Sequence, residues 1–475
     1  MSQDSVPLCV DLDGTLLRSD SLVESALALL KQSLRFAWLM PWWLLRGRAA
    51  FKAEVARRVQ LDVTLLPYHG GLLQWLREQH AAGRRLVLCT AADQSVASAV
   101  AAHLRIFESA LGSDGNNNLK GTRKRDRLQA GYGPRGYDYA GNGGSDLAVW
   151  SQARRAIVVN GGASLVRRAE ALTQVERVFE RSGSGAKAWL RALRPHQWLK
   201  NILVFAPLLA AHAWHAAGAA ALAGCAFLAF CLCASGGYLL NDLLDLAADR
   251  AHPRKRLRPF ASGELQPGAG LAASALLTLA ALILALAISP LFCVALLAYY
   301  VLSLAYSLRI KKLVMLDVIA LATLYTLRII AGGAAVLIFP SFWLLAFSMF
   351  LFLTLAMVKR CSELIRLMAE RGEHTPGRGY RVADLDVLQQ LGGASGYLSV
   401  LVLALYINSS TSQELYRHPQ VLWLLCPVLL YWISRVWIIC HRGEMHDDPV
   451  VFALRDRVSR WLAVAAALIA IFATG

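Results

Sequence analysis

None of the nine cysteines stands in a CxxC pair. Zinc ribbons and dithiol redox sites use that spacing, so neither is expected, and nor is a disulfide framework. Cys225, Cys231, Cys233, Cys293 and Cys426 lie inside apolar runs, where a thiol acts as a small hydrophobe. The first residues, MSQDSVPLCVDLDGT, lack both a basic start and a long apolar core, so no secretory signal peptide is expected there. No internal repeat is visible, which argues against a transporter built from inverted halves. Acids are scarce too: 32 Asp and Glu stand against 49 Lys and Arg, a net charge of +17. Such an excess could serve nucleic acid. Most basic residues of the C-terminal part, however, sit in short loops between apolar runs, the positive-inside pattern of membrane proteins. No nucleic-acid partner is therefore expected.

What is present is a chain of two characters. Residues 1–185 read as a soluble α/β domain, and residues 186–475 as an all-α multi-pass membrane bundle. RSGSGAK, Arg181 to Lys187, is the expected linker. The apolar runs suggest about nine spans, near residues 200–214, 217–246, 268–288, 291–308, 314–337, 341–358, 394–409, 420–440 and 459–475. Basic residues follow the even-numbered spans: Arg250, Lys255 and Arg258; Lys311 and Lys312; Lys359, Arg360 and Arg371; Arg442 and Arg455. The opposite loops carry only Arg417. This asymmetry puts those ends, and the N-terminal domain, on the cytoplasmic side of the plasma (inner) membrane.

The densest charge in the membrane half is NDLLDLAADRAHPRKRLRP, Asn241 to Pro259. On a helix turning about 100° per residue, Asp242 lies at about 100° from Asn241, Asp245 at about 40° and Asp249 at about 80°. Three carboxylates on one face repel unless a cation neutralises them. Magnesium suits such hard oxygen ligands and brings phosphate oxygens with it. A solvated helix end is the plainer alternative, but it does not explain why the acids align and the bases come just after them. On the magnesium–diphosphate reading Asp242, Asp245 and Asp249 hold the metal, and Arg250, Lys255 and Arg258 hold phosphate.

This motif, with its HPxKxxRP tail, resembles the first aspartate motif of the UbiA superfamily of membrane prenyltransferases, which are nine-helix bundles. RPHQWLKNILVFAPLL, from Arg194, is similar to the family's first helix and adds Lys200 and Asn201 to the site. The resemblance covers residues from about 190 onward. Aromatic prenyltransferases of the family carry a second cluster, DxxxD, after span six. Here KRCSEL, Lys359 to Leu364, stands in that place, followed by GRGY, Gly377 to Tyr380. One acid, Glu363, remains beside Lys359, Arg360 and Arg378, a set better matched to an additional phosphate than to a second metal. In YSLRIKKLVMLDVIALATLYTLRIIAGG, from Tyr306, Asp317 and Arg328 are separated by about 20° of helix rotation. They lie about 16 Å apart along the axis. Arg328 thus falls deep in the apolar region and needs an anionic partner, either an acid on another helix or a substrate phosphate.

KRxxEL, GRGY and YSLRIKK…LDV…LYTLR together resemble the decaprenyl-phosphate phosphoribosyltransferase branch. That resemblance implies a 5-phosphoribosyl 1-diphosphate donor, a polyprenyl phosphate acceptor and magnesium. The lipid phosphate is already an anion, so catalysis reduces to holding the donor, stabilising pyrophosphate and excluding water. Asp242 and Asp245 are the expected catalytic acids. Candidate substrate contacts are Lys200, Asn201, Asn241, Arg250, Lys255 and Arg258, then Tyr306, Lys311, Asp317, Arg328, Lys359, Arg360, Glu363 and Arg378.

In the N-terminal domain PLCVDLDGTLL, Pro7 to Leu17, is an apolar strand ending in two carboxylates and a Gly-Thr turn. It resembles motif one, DxDGT, of the haloacid dehalogenase (HAD) superfamily, whose fold is Rossmannoid. By that resemblance Asp11 attacks phosphorus, Asp13 protonates the leaving oxygen and Thr90, ending LVLCTA, binds phosphate. Lys124 is the motif-three lysine, with Lys120 the alternative. In YAGNGGSD, Asn142 stands where an aspartate is usual and Asp146 remains; Asp11, Asp13, Asn142 and Asp146 form the implied magnesium set, weakened by the missing charge. SLRFAWLMPWWLLRGRAAFK, Ser33 to Lys52, reads either as a buried cap face or as a helix resting on the bilayer, where tryptophans beside arginines are favoured.

The expected activity is magnesium-dependent phosphoribosyl transfer to a polyprenyl phosphate, with the HAD domain removing the 5-phosphate of the lipid product. Two alternatives stand beside it: an aromatic prenyltransferase of the ubiquinone or haem type, and a lipid-phosphate carrier without catalysis. Lipid length and oligomeric state, a homo-oligomer included, are not set by the sequence.

Overall fold

The computed structural model describes residues 6–33, 35–114, 117–180, 185–216, 218–369, 378–445 and 448–474. Arg181 to Ser184 of the expected linker, Arg371 and Gly377 lie outside them. The chain forms two compact units: residues 1–194 with 238–275, and residues 195–237 with 276–475.

The first unit is built on a six-stranded sheet in the order β3-β2-β1-β4-β5-β6. The strands are β1 (Leu8–Val10), β2 (Leu86–Asp93), β3 (Ser109–Ser113), β4 (Asp138–Gly141), β5 (Arg155–Val159) and β6 (Gln174–Phe179). Every pairing is parallel. Alternation along β1 sends Leu8 and Val10 into one core and Cys9 into another, so the sheet is covered on both faces. The strand order reverses beside β1, between β2 and β4. A parallel sheet opens a crevice at the carboxyl ends of its strands at such a point. Asp11 follows β1 directly, Thr90 lies in β2, and Asn142 follows β4.

Within this unit the helix Phe36–Leu45 buries Phe36 and Trp43 but leaves Trp38 86% and Leu45 82% exposed. One face of this segment packs, and the other presents large apolar side chains. Residues 238–275 pack with this unit rather than with the bundle.

The second unit is helical. Counting helices that reach into either unit, eight among the described residues are long and apolar enough to cross a membrane. They are Ala219–Leu244, Pro267–Ile288, Pro290–Leu308, Leu316–Val336, Phe342–Ala369, Val382–Ile407, Pro419–His441 and Arg457–Thr474. The chain is a multi-pass membrane protein. The first expected span is different: residues 200–214 fall in a 3-10 helix, Pro195–Phe205, and a short α-helix, Ala206–Ala210. Pro207 cannot donate to an earlier turn, and His212 closes the segment with a left-handed φ of 52°. The 3-10 segment lies tight against the Leu316–Val336 helix. A Cβ at Gly332 would come 2.0 Å from the Val204 carbonyl oxygen, so only glycine permits the approach.

Candidate functional site

At the carboxyl edge of the sheet the HAD-like residues converge. Lys124, from the helix Thr122–Tyr132, is buried and donates to Asp11 Oδ1 at 2.8 Å. Lys120 is exposed. Lys124 also donates to the Tyr139 hydroxyl at 2.8 Å, which in turn donates to Asp146 Oδ1 at 3.0 Å. The backbone N–H groups of Asn142 and Gly143 hold Asp146 Oδ2 at 3.0 and 2.9 Å. Thr15 Oγ1 donates to Asn142 Oδ1 at 3.2 Å. Asp13 accepts from the Ser21 N–H at 2.8 Å and the Ser21 hydroxyl at 3.1 Å. Thr90 is fully buried, its hydroxyl accepting from the Ala92 N–H at 3.0 Å. Asp11, Asn142 and Asp146 supply oxygen donors that fit magnesium, with one negative charge fewer than three carboxylates would give.

Burial raises the Asp11 pKa, and the Lys124 charge opposes that rise. Burial, then the nearby Asp20 charge, pushes Asp13 up to about 7. An acid poised there can donate a proton at neutral pH. Phosphate release by this site should fall about tenfold per pH unit above about 7, as Asp13 loses its proton. A pH profile of kcat checks this, and Asp13→Asn should abolish the alkaline limb.

In the acidic motif the helix does not run on. It ends at Leu244, Asp245 leaves helical geometry (φ −98°, ψ 10°), and a second helix spans Leu246–Ala251. The three aspartates therefore do not keep the continuous helical face expected of them. Asp242 and Asp249, both buried, lie 3.0 and 2.7 Å from the same Arg258 Nη1. Asp242 also accepts from Arg194 at 2.5 Å. Asp245 accepts instead from Lys31, on the helix Ser21–Gln32, at 2.7 Å. Burial raises Asp249, with Arg258 opposing the rise. Among the described residues no three His, Cys, Asp or Glu side chains form a metal cluster. The donor chemistry still fits one cation: two carboxylates already share one cationic nitrogen, and magnesium is often held by one or two carboxylates plus substrate phosphate. Arg250 is committed elsewhere: its two terminal nitrogens each reach a Glu24 oxygen at 2.7 Å, and its Nε donates to the Ala261 carbonyl at 3.0 Å. Lys255 is exposed, and Asn241 is half-buried.

The second unit gathers the other candidates into three groups. Arg360 and Asp317, both buried, pair at 2.7 Å. Arg360 also pairs with Glu363 and donates to the Tyr306 hydroxyl at 3.0 Å. Arg378 Nε reaches Glu363 at 3.1 Å, and Tyr380 donates to Asp317 at 2.5 Å. Lys200 and Lys359 form the second group, both on Asp448 Oδ2 at 3.0 and 2.9 Å. Burial alone would raise Asp448, but Lys359 and Lys200 hold its carboxyl well below the usual range. In the third group Arg328 donates to Asn201 Oδ1 and the Tyr299 hydroxyl, each at 2.9 Å, and to the Leu324 carbonyl at 2.6 Å. Its guanidinium lies 4.7 Å from the Tyr299 ring centre. Among the described residues it has no carboxylate partner, so its charge is met by neutral groups alone. Lys311 sits at the turn Ile310–Lys312.

Asp448, Arg194, Lys31, Glu24, Tyr299, Tyr380 and Tyr139 are site neighbours that sequence reasoning missed. For Asp448 a signal existed. An acid before Pro449 is a helix cap, and its carboxylate accepts from the Val450 N–H at 3.1 Å.

Residues 202–455 match the model of the UbiA prenyltransferase family. The chain belongs to that family. Residues 8–150 match the haloacid dehalogenase-like hydrolase family, so this UbiA protein carries a HAD-like domain in front. The y4nM protein of Sinorhizobium fredii is similar over nearly the whole chain, 37% identical across 96% of this chain and 88% of that protein. Nodulation protein NoeC of Azorhizobium caulinodans is 36% identical over 56% of this chain and 87% of that one. A decaprenyl-phosphate phosphoribosyltransferase of Mycobacterium tuberculosis is 30% identical over 58% of this UbiA protein and 90% of its own length. The two family matches support an enzyme.

Proposed function

We propose that this UbiA protein transfers 5-phosphoribosyl from 5-phosphoribosyl 1-diphosphate to a polyprenyl phosphate, and that its HAD domain removes the 5-phosphate from the lipid product. The observation that carries the reading is the convergence of Lys200 and Lys359 on one carboxylate oxygen of Asp448. Two ammonium groups meeting at one anionic oxygen form a receptor for phosphate. Lys359 opens KRCSEL, the stretch that stands where aromatic enzymes of the family carry a second acidic cluster. The similarity to a decaprenyl-phosphate phosphoribosyltransferase supports the same substrates.

In the transfer step a lipid phosphate oxygen bonds to C1 of the ribose, and the C1–O bond to the diphosphate breaks with its electron pair leaving on pyrophosphate. Asp242 and Asp249 are the residues to hold magnesium, with Asp245 beside them. Bound there, the ion would offset the charge of the leaving diphosphate. Lys200 and Lys359 orient phosphate oxygens, exchanging Asp448 for substrate. In the second step an Asp11 oxygen bonds to the 5-phosphorus while Asp13 gives its proton to the departing ribose oxygen. Lys124 keeps Asp11 ionised, and water then releases phosphate from the aspartyl ester. Both steps belong to the cytoplasmic face of the inner membrane on the charge asymmetry of the loops.

The test is purified full-length protein with labelled donor and polyprenyl phosphate, the products resolved by mass. A ribosylated lipid and pyrophosphate are expected; prenylation of an aromatic acid would overturn the reading. Lys200→Ala and Lys359→Ala should each lower kcat/KM by roughly 10- to 100-fold, the worth of a hydrogen bond to a charged group.

A further inference from the structure

The chain just past the acidic motif does more than connect two helices. Within the first unit it lies over the HAD-like site. Gly263 holds a left-handed φ of 73°, and a Cβ there would come 2.6 Å from Arg18 Cβ and 3.1 Å from Pro67 Cβ. The turn is thus pressed against the loop that follows Asp13. Three contacts pin it: Arg250 binds the Ala261 carbonyl at 3.0 Å, Glu264 pairs with Arg191, and Phe260 meets the Trp189 ring edge-on at 6.4 Å. Leu265 is buried beneath it.

Between this turn and the HAD-like loops lies a polar cavity of about 130 Å³. Its walls include Gly14, Arg18, Asn142 and Asn160 from the sheet side, and Glu264 and Gln266 from the turn. Asn142 and Gly14 belong to the loops that carry the Asp146 and Asp11 chemistry. Asn160 is itself left-handed (φ 54°), fixed by its amide donating to the Gly14 carbonyl at 2.9 Å. The chemistry of this lining is specific. It holds one cation, Arg18, one carboxylate, Glu264, which also pairs with Arg191, and three side-chain amides. The Glu264 carboxylate in the wall repels a second phosphate, and an apolar tail would require apolar walls. Amides beside a carboxylate suit hydroxyl groups, which both donate and accept.

We infer that the turn 263–266 is the substrate-selecting roof of the HAD site, binding the uncharged polyol part of a sugar phosphate monoester whose phosphate sits at Asp11. The inference rests on the phosphatase half of the proposed function and names what that site recognises. Gln266 is the residue to test, because it is exposed and its loss should not disturb the core.

The experiment is calorimetric titration of full-length protein carrying Asp11→Asn, in magnesium, with ribose 5-phosphate and with inorganic phosphate. Ribose 5-phosphate should bind about tenfold more tightly than phosphate. Adding Gln266→Ala should remove most of that advantage and leave phosphate binding unchanged. Gly263→Ala, which must displace the turn, should act in the same direction. Equal affinity for the two ligands, or a Gln266→Ala effect equal on both, would overturn the roof. If the binding pattern holds but the unmutated protein hydrolyses no ester, the roof stands and the phosphatase reading fails.

Discussion

Asp242→Asn should lower phosphoribosyl transfer by roughly 10²- to 10³-fold at saturating substrates, the usual scale for removing one electrostatic contact to a transition state. The carboxylate is buried and shares the Arg258 nitrogen with Asp249, so it stands where a cation is already accommodated. Asparagine keeps the shape and one oxygen but removes the charge that attracts magnesium. Asp249→Asn should behave alike. Asp245→Asn should cost less, roughly tenfold, because Asp245 turns to Lys31 at the helix break. Initial rates across a magnesium titration separate these variants. Near-normal transfer by Asp242→Asn, with unchanged magnesium dependence, would remove it from the metal site.

Asp11→Asn should abolish release of the 5-phosphate, by at least roughly 10³-fold, and leave transfer untouched. The protein should then accumulate the 5-phosphorylated lipid, visible by mass as one phosphate more than the wild-type product. Asparagine keeps an oxygen that can accept from Lys124, which also donates to the Tyr139 hydroxyl, so the site should stay folded but inert. Asn142→Asp should move the opposite way, raising phosphate release at limiting magnesium by restoring a ligand charge. Identical products from wild type and Asp11→Asn at saturating magnesium would assign the HAD domain another role.

The local chemistry was legible where the signal is local. An apolar strand ending in DLDGT announces a sheet edge with two carboxylates, and the structure places Asp11 directly after β1. Runs of apolar residues foretold the long helices, because burial of backbone in lipid leaves few other solutions. The segment after Pro195 escaped that logic: composition looked spanning, but Pro207 and the left-handed His212 cut it into short pieces. Periodicity also failed at Asp245, since a helix wheel assumes the helix continues. The pairings of Lys200 and Lys359 with Asp448, and of Arg250 with Glu24, join residues far apart in the chain. No local pattern encodes them. For the same reason Arg360, read as a phosphate ligand, could not be seen from sequence to have Asp317 and Glu363 already around it.

The buried Glu24–Arg250 pair also ties together two stretches far apart in the chain. Each side chain is less than a tenth exposed, and each would be a stranded charge without the other. Losing one partner of such a pair costs about 3–5 kcal/mol. A truncated chain lacking Glu24 would keep Arg250 with the Ala261 carbonyl as its remaining close partner. The acidic motif and the HAD-like sheet belong to one compact unit. Cutting the chain at the linker should therefore destabilise the very motif that the cut leaves behind in the membrane.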